Sequence, residues 1–142
     1  MGRIARENAF ALQYEKMIQG YLNDITYQEL TQITNEFKDT DKTYIDIVLN
    51  GIQDKMEFFN ELLTRYAKGY SLSRIYKIDK AILLIAMYEI LYMKNIPYKV
   101  SINEALELAK KYSTDNSPVF INGVLAAIIK DKESILNESE DN

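Results

Sequence analysis

The stretch Ala81–Ile90, AILLIAMYEI, constrains the fold of this chain more than any other. Its apolar residues neither alternate with polar ones nor leave a polar stripe once per helical turn. A helix of that kind is apolar almost all round and has to be enclosed by other elements. The run is far too short to cross a bilayer, which takes about 20 apolar residues. It therefore predicts a central helix buried within a bundle. Asp79 is the expected cap of that helix, with Ile78 before it and Leu83 placed for a hydrophobic staple. Glu89 lies inside the apolar spine, either against a buried partner or facing a gap between helices. Pro97 forces Ile96 out of helical geometry and stops the chain from running straight on.

The rest of the chain supplies the enclosing helices. Arg3 to Leu22 reads as a first helix with a stripe of Ala5, Ala9, Leu12, Met17 and Tyr21. Asn23 and Asp24 make a turn, and Thr26 is placed to cap a short helix from Tyr27 to Phe37. Lys38 to Asp41 reads as a polar connection. Ile45, Val48, Leu49, Ile52, Met56, Phe59, Leu63 and Tyr66 then hold one face of a long helix, with Gly69 as its break. Ser71 or Ser73 opens a short turn. Ser101 and Glu104 form S-x-x-E, the signature of a capping box. Ile102, Ala105, Leu106, Ala109 and Tyr112 recur behind it at helical spacing. Lys110 and Lys111 suit the negative end of that helix. Thr114 to Pro118 is a breaker cluster. Beyond it Ile121, Val124, Leu125 and Ile128 begin a new stripe with Phe120 at its edge. The expectation is an all-α bundle of six or seven helices. Its core is expected to hold Leu83, Ile85, Ala86, Ile90, Val48, Ile52, Leu106, Ala109, Val124 and Leu125.

Composition narrows the chemistry. The chain has 142 residues, enough for one domain with a real core, and 47% are hydrophobic, with five Gly and two Pro. It has no Cys and no His, which removes disulfides, thiolate metal sites and the commonest general base together. No phosphate loop, metalloprotease motif or nucleophile elbow occurs. A non-enzymatic protein without a cofactor or metal site is expected. The polar N-terminus lacks the apolar core of a signal peptide, so the expected location is cytoplasmic. Net charge is −4, and the residues from Asp131 to Asn142 account for all of it. Residues 131–142 are thus expected to be an acidic, flexible tail, and residues 1–130 to form a neutral helical domain.

Three blocks carry a resemblance. INEALELAK followed shortly by FINGVLA, the opening ARENAFALQY, and the central IDKAILLIAMYEIL resemble, in that order, segments of the NusB family of bacterial transcription antitermination factors. The resemblance implies two packed three-helix bundles. It also implies binding of the boxA element of nascent ribosomal RNA within the transcription elongation complex. The implied protein partner is the small ribosomal-subunit protein that acts as NusE. Arg3 and Arg6 stand at arginine positions of the family, Tyr14 on its tyrosine and Phe120 on the phenylalanine before the NGVL motif. These four are the expected RNA contacts, as aromatic faces and cations are what single-stranded RNA recognition uses. On residue type alone the plainer reading of each is the better one: two arginines near an N-terminus are ordinary, Tyr14 fits a core and Phe120 a staple. Asp79 aligns with an acidic position of the NusE-facing surface. The basic residues usual between the arginines are missing, Val119 replaces a frequent lysine, and Leu84 stands where an arginine is usual. A protein-interaction module of the same fold with little RNA affinity is the alternative. The related fusion to an RNA methyltransferase is disfavoured because the chain ends before any cofactor-binding sheet. The protein is expected to be a monomer or a homodimer.

Overall fold

The computed structural model describes residues 2–141. Among them are seven α-helices and one 3₁₀ turn, with no strand: α1 (Arg3–Gln19), α2 (Asp24–Leu30), α3 (Asp39–Tyr66), the 3₁₀ turn Leu72–Arg74, α4 (Lys77–Tyr92), α5 (Tyr98–Tyr112), α6 (Ser117–Lys130) and α7 (Lys132–Asp141). α4 is the spine that its composition predicts. Every residue from Ala81 to Met87 is buried, as are Glu89, Ile90 and Leu91. α1 and α3 pack against one side of it, with α2 laid on α1, while α5 and α6 pack against the other side and each other. Each large aliphatic side chain enclosed this way contributes roughly 1.5–3 kcal/mol. No helix among the described residues is long and apolar enough to cross a membrane.

Several helix ends differ from the sequence expectation, each for a local reason. α1 stops at Gly20, which takes the left-handed conformation (φ 90°) and sends its N–H to the Lys16 carbonyl. Tyr21 therefore lies outside the helix and exposed. Thr26 does not cap α2: Asn23 does, its Oδ1 accepting from the Thr26 N–H at 3.0 Å, so the helix runs Asp24–Leu30. The Thr26 hydroxyl donates instead to Glu15. Lys38–Asp41 is the start of α3 rather than a connection, with the Asp41 carboxylate accepting from the Lys38 N–H at 2.8 Å. α3 ends at Tyr66, and Gly69 turns left-handed three residues later.

α4 begins two residues before Asp79, with Tyr76 at the cap position, so Asp79 is a first-turn residue and not the cap. α5 begins at Tyr98 behind Pro97, which leaves Ser101 inside the helix and buried. The S-x-x-E pattern is thus no capping box here. The buried face of α5 consists of Ser101, Ala105, Leu108 and Ala109, which keeps Ala105 and Ala109 of the expected stripe and is rotated from Ile102 and Leu106 toward Ser101 and Leu108. Leu106 is accordingly half-buried and Tyr112 partly exposed, while the other nine expected core residues are buried.

The stretch 131–142, expected to be a flexible tail, forms α7 over Lys132–Asp141. Ile135 is fully buried, Arg65 grips Glu138 through two hydrogen bonds of 2.8 and 2.9 Å, and Tyr92 bonds Ser139. Asn142 lies outside the described residues.

Candidate nucleic-acid interface

α1 presents its two arginines to different surroundings. Arg6 is 6% exposed and turned into the core, where Nε lies 2.9 Å and Nη2 3.1 Å from the two carboxylate oxygens of Glu89. Ser101 donates to the same carboxylate at 2.7 Å, and the Tyr44 hydroxyl donates to it as well. Burial first, then the Glu89 charge, pushes the Tyr44 pKa well up and keeps the phenol protonated. This settles the position of Glu89: it has a buried partner. It also removes Arg6 from the surface, since its guanidinium is spent on joining α1 to α4, α3 and α5. Arg3, one turn earlier, is on the outside and pairs with Glu104 of α5, Nε to Oε2 at 3.1 Å.

Tyr14 is half-buried on the outer side of α1. It lines an apolar hollow of about 440 Å³ with Phe10, Ile18, Ile78 and Tyr112. Phe10 sits between two aromatic rings, with centroids 6.3 Å from Tyr14 and 5.3 Å from Tyr112. Tyr112 hydrogen-bonds Glu7, which also receives Lys111 at 2.8 Å. A charged hollow bounded by Arg3, Glu7, Glu104, Glu107, Lys110 and Lys111 thus adjoins the aromatic one.

A third hollow, of about 470 Å³, holds Phe120 and Asp79. Phe120 is half-buried, packed on the core from one side and tilted against Tyr70 at a centroid distance of 4.9 Å. It is both a packed and an accessible ring, which the sequence treated as alternatives. Asp79 is 3% exposed, and its two oxygens accept from Ser113 at 2.5 Å and Ser117 at 2.9 Å. Those serines flank the α5–α6 connection, so the breaker cluster is pinned to the first turn of α4. Both donors are neutral hydroxyls. Tyr70, Arg74, Tyr76 and Asn116 complete the wall.

The structure therefore places Arg3, Tyr14 and the Asp79–Phe120 pair at three separate hollows, and leaves Arg6 inside. Sequence reasoning missed Tyr70, Tyr76, Arg74 and Tyr112. The one signal for the three tyrosines was their number, 11 in 142 residues, and Arg74 had none.

An all-helical double bundle with an aromatic and charged face along α1 and the starts of α4 and α6 is the class that this architecture defines. Comparison with known proteins narrows it. The sequence matches the NusB family over residues 3–130. It is 40% identical over 136 residues to the transcription antitermination protein NusB of Clostridium novyi (strain NT), covering 90% of this chain and 97% of that one. It is 38% identical over 138 residues to NusB of Alkaliphilus oremlandii (strain OhILAs), covering 96% and 98%. The solved structure of T. maritima NusB superposes with a TM-score of 0.81 at 29% identity, covering 96% of this chain and 98% of that one. The chain belongs to the NusB family, whose curated relatives are named transcription antitermination proteins, regulatory factors rather than enzymes.

Proposed function

We propose that this protein is a cytoplasmic transcription antitermination factor that binds boxA-type single-stranded RNA of nascent ribosomal transcripts jointly with NusE. The observation that carries the reading is the pair of half-buried rings, Tyr14 and Phe120, each lining an open hollow. Bases stack on such rings at about 1–3 kcal/mol each. Arg3, exposed at the charged hollow, is the proposed phosphate ligand. Arg6 contributes from inside, by fixing α1 against α4. Asp79, beside Phe120 in the same hollow and bonded by the Ser113 and Ser117 hydroxyls, is the acidic position proposed to face a basic protein such as NusE. RNA and partner would then meet at the same hollow.

Titrating a boxA oligoribonucleotide with this protein, alone and with NusE at one salt concentration, tests the reading. RNA binds weakly to the protein alone, since phosphate contacts dominate nucleic-acid affinity and this face has few free cations. It binds more tightly with NusE, and by linkage RNA strengthens the protein–protein contact by the same factor. Phe120→Ala lowers RNA affinity by about 1–3 kcal/mol without changing the salt slope. Equal RNA affinity with and without NusE refutes the cooperative reading. The pairing of surface cations with carboxylates favours a second reading, a protein-interaction module. It would bind NusE and add nothing to RNA affinity.

A further inference from the structure

Arg3, Lys110 and Lys111 each have a carboxylate within ion-pair distance, and two of the pairs cross from α1 to α5. Arg3 meets Glu104 at 3.1 Å and Lys111 meets Glu7 at 2.8 Å. In both, the cation is the outer member and the acid the inner one. The Arg3 side chain is 65% exposed over a Glu104 that is 18% exposed, and Lys111 is 60% exposed over a Glu7 at 29%. Glu7 is held further by the Tyr112 hydroxyl. The third pair, Lys110 with Glu107, is looser at 3.7 Å, within one helix, and exposed on both sides. Any anion that approaches Arg3 or Lys111 therefore meets a cation whose charge is already answered from behind, by an acid wedged between two helices.

We infer that Glu7 and Glu104 act as built-in competitors of RNA phosphate, specificity-determining residues that mask Lys111 and Arg3. The inference rests on the RNA-binding reading and deepens it. Phosphate contacts are sequence-independent, so cations left free would hold any RNA. With the cations masked, the rings and the partner surface are left to decide which RNA stays. A carboxylate that instead oriented its arginine toward phosphate would be needed for binding, so the two roles predict opposite signs.

The test uses the full chain as wild type, Glu104→Gln, Glu7→Gln, Arg3→Gln and the double variant Arg3→Gln/Glu104→Gln. Glu107→Gln serves as a control with the same change of net charge. Each is titrated over a salt series with a boxA-type oligoribonucleotide and with a scrambled one, and binding is normalised to the folded fraction from thermal melts. Exposed pairs of this kind are worth little each, so Glu104→Gln and Glu7→Gln each tighten RNA binding by roughly two- to five-fold. Each also steepens the salt slope by up to about 0.7, one more counterion released from a single strand. The gain is larger for the scrambled RNA, so discrimination falls. Arg3→Gln weakens RNA binding slightly alone, as expected of a masked phosphate ligand, and abolishes the gain in the Glu104→Gln background. Weaker or unchanged binding by Glu104→Gln overturns the inference, as does an equal gain from Glu107→Gln. Additive effects of Arg3→Gln and Glu104→Gln overturn it too. RNA that binds wild type while these responses fail leaves the functional reading standing. RNA bound by no variant, even with NusE present, overturns both.

Discussion

Removing Glu89 is the sharpest perturbation available to this fold. Its carboxylate accepts from Arg6 at 2.9 and 3.1 Å, from Ser101 at 2.7 Å and from Tyr44, and it is 1% exposed. Glu89→Leu strands a buried guanidinium with no anion and two hydroxyls with no acceptor. Breaking a buried pair by deleting one partner costs about 3–5 kcal/mol. The orphaned hydroxyls would add about 1–3 kcal/mol each if nothing relaxed, but groups in one network do not add independently. We therefore expect a loss of about 3–5 kcal/mol, or roughly 10 °C or more in Tm for a chain of this size. Urea denaturation followed by circular dichroism measures it. The fourfold variant Arg6→Met, Tyr44→Phe, Glu89→Leu, Ser101→Ala should regain most of the loss, because no buried polar group is left without a partner. If Glu89→Leu lies within about 0.5 kcal/mol of wild type, or if the fourfold variant is no better than the single one, the network does not do what its geometry implies.

Gly51→Ala would ordinarily stabilise a helix by about 0.5–1 kcal/mol. Here the new methyl meets the Tyr88 ring, so we expect a net loss of about 1 kcal/mol by overpacking and its recovery in Gly51→Ala/Tyr88→Leu. A more stable single variant would show that the ring swings aside freely. Ile135→Ser should detach α7 alone: hydrogen exchange is expected to speed up across 132–139 and nowhere else, and unchanged protection there would mean that the buried Ile135 does not anchor the helix. The hydrogen bond from Lys111, then that from Tyr112, holds the Glu7 pKa below the ordinary glutamate value. Its stabilising contribution is thus present above the unfolded-state pKa and lost as pH falls through the depressed one. A Glu7→Gln variant should lose that part of the acid sensitivity in a pH series of melts, and an identical pH profile would refute it.

The fold was legible where the pattern needed no context. A run with no polar face can only be enclosed, and the stripes of α3 and α6 fall on the expected residues. Helix starts were less legible because several residues qualify at once. Asn23 and Thr26 are both good caps, and backbone geometry rather than residue type gave the role to Asn23. Ser101 looked like a cap because serine is polar, but Pro97 starts α5 earlier and Glu89 gives the buried hydroxyl an acceptor. Glu138 of α7 read as part of a solvated tail since its counter-charge, Arg65, lies 73 positions away.

The candidate site residues could be picked by type but not by environment, and the two arginines of α1 show why. They are three residues apart, are of the same type, and end in opposite settings. A sign of the difference did exist. A carboxylate at Glu89, inside an otherwise apolar spine, must be answered by a cation that also faces inward. Arg6 lies between Ala5 and Ala9, small residues that let α1 approach α4 closely, whereas Arg3 has no such neighbours on its inner side. What the pattern could not supply was the distance between α1 and α4, which only the packed bundle fixes. The roles therefore separate in one measurement. Arg6→Met should destabilise the fold and leave the salt slope of RNA binding per folded molecule unchanged, because its charge never reaches phosphate. Arg3→Gln in the Glu104→Gln background should leave the fold intact and flatten that slope by about 0.7. A flatter slope for Arg6→Met would mean that Glu89 releases its arginine when RNA arrives, and that the buried pair is a state of the free protein only.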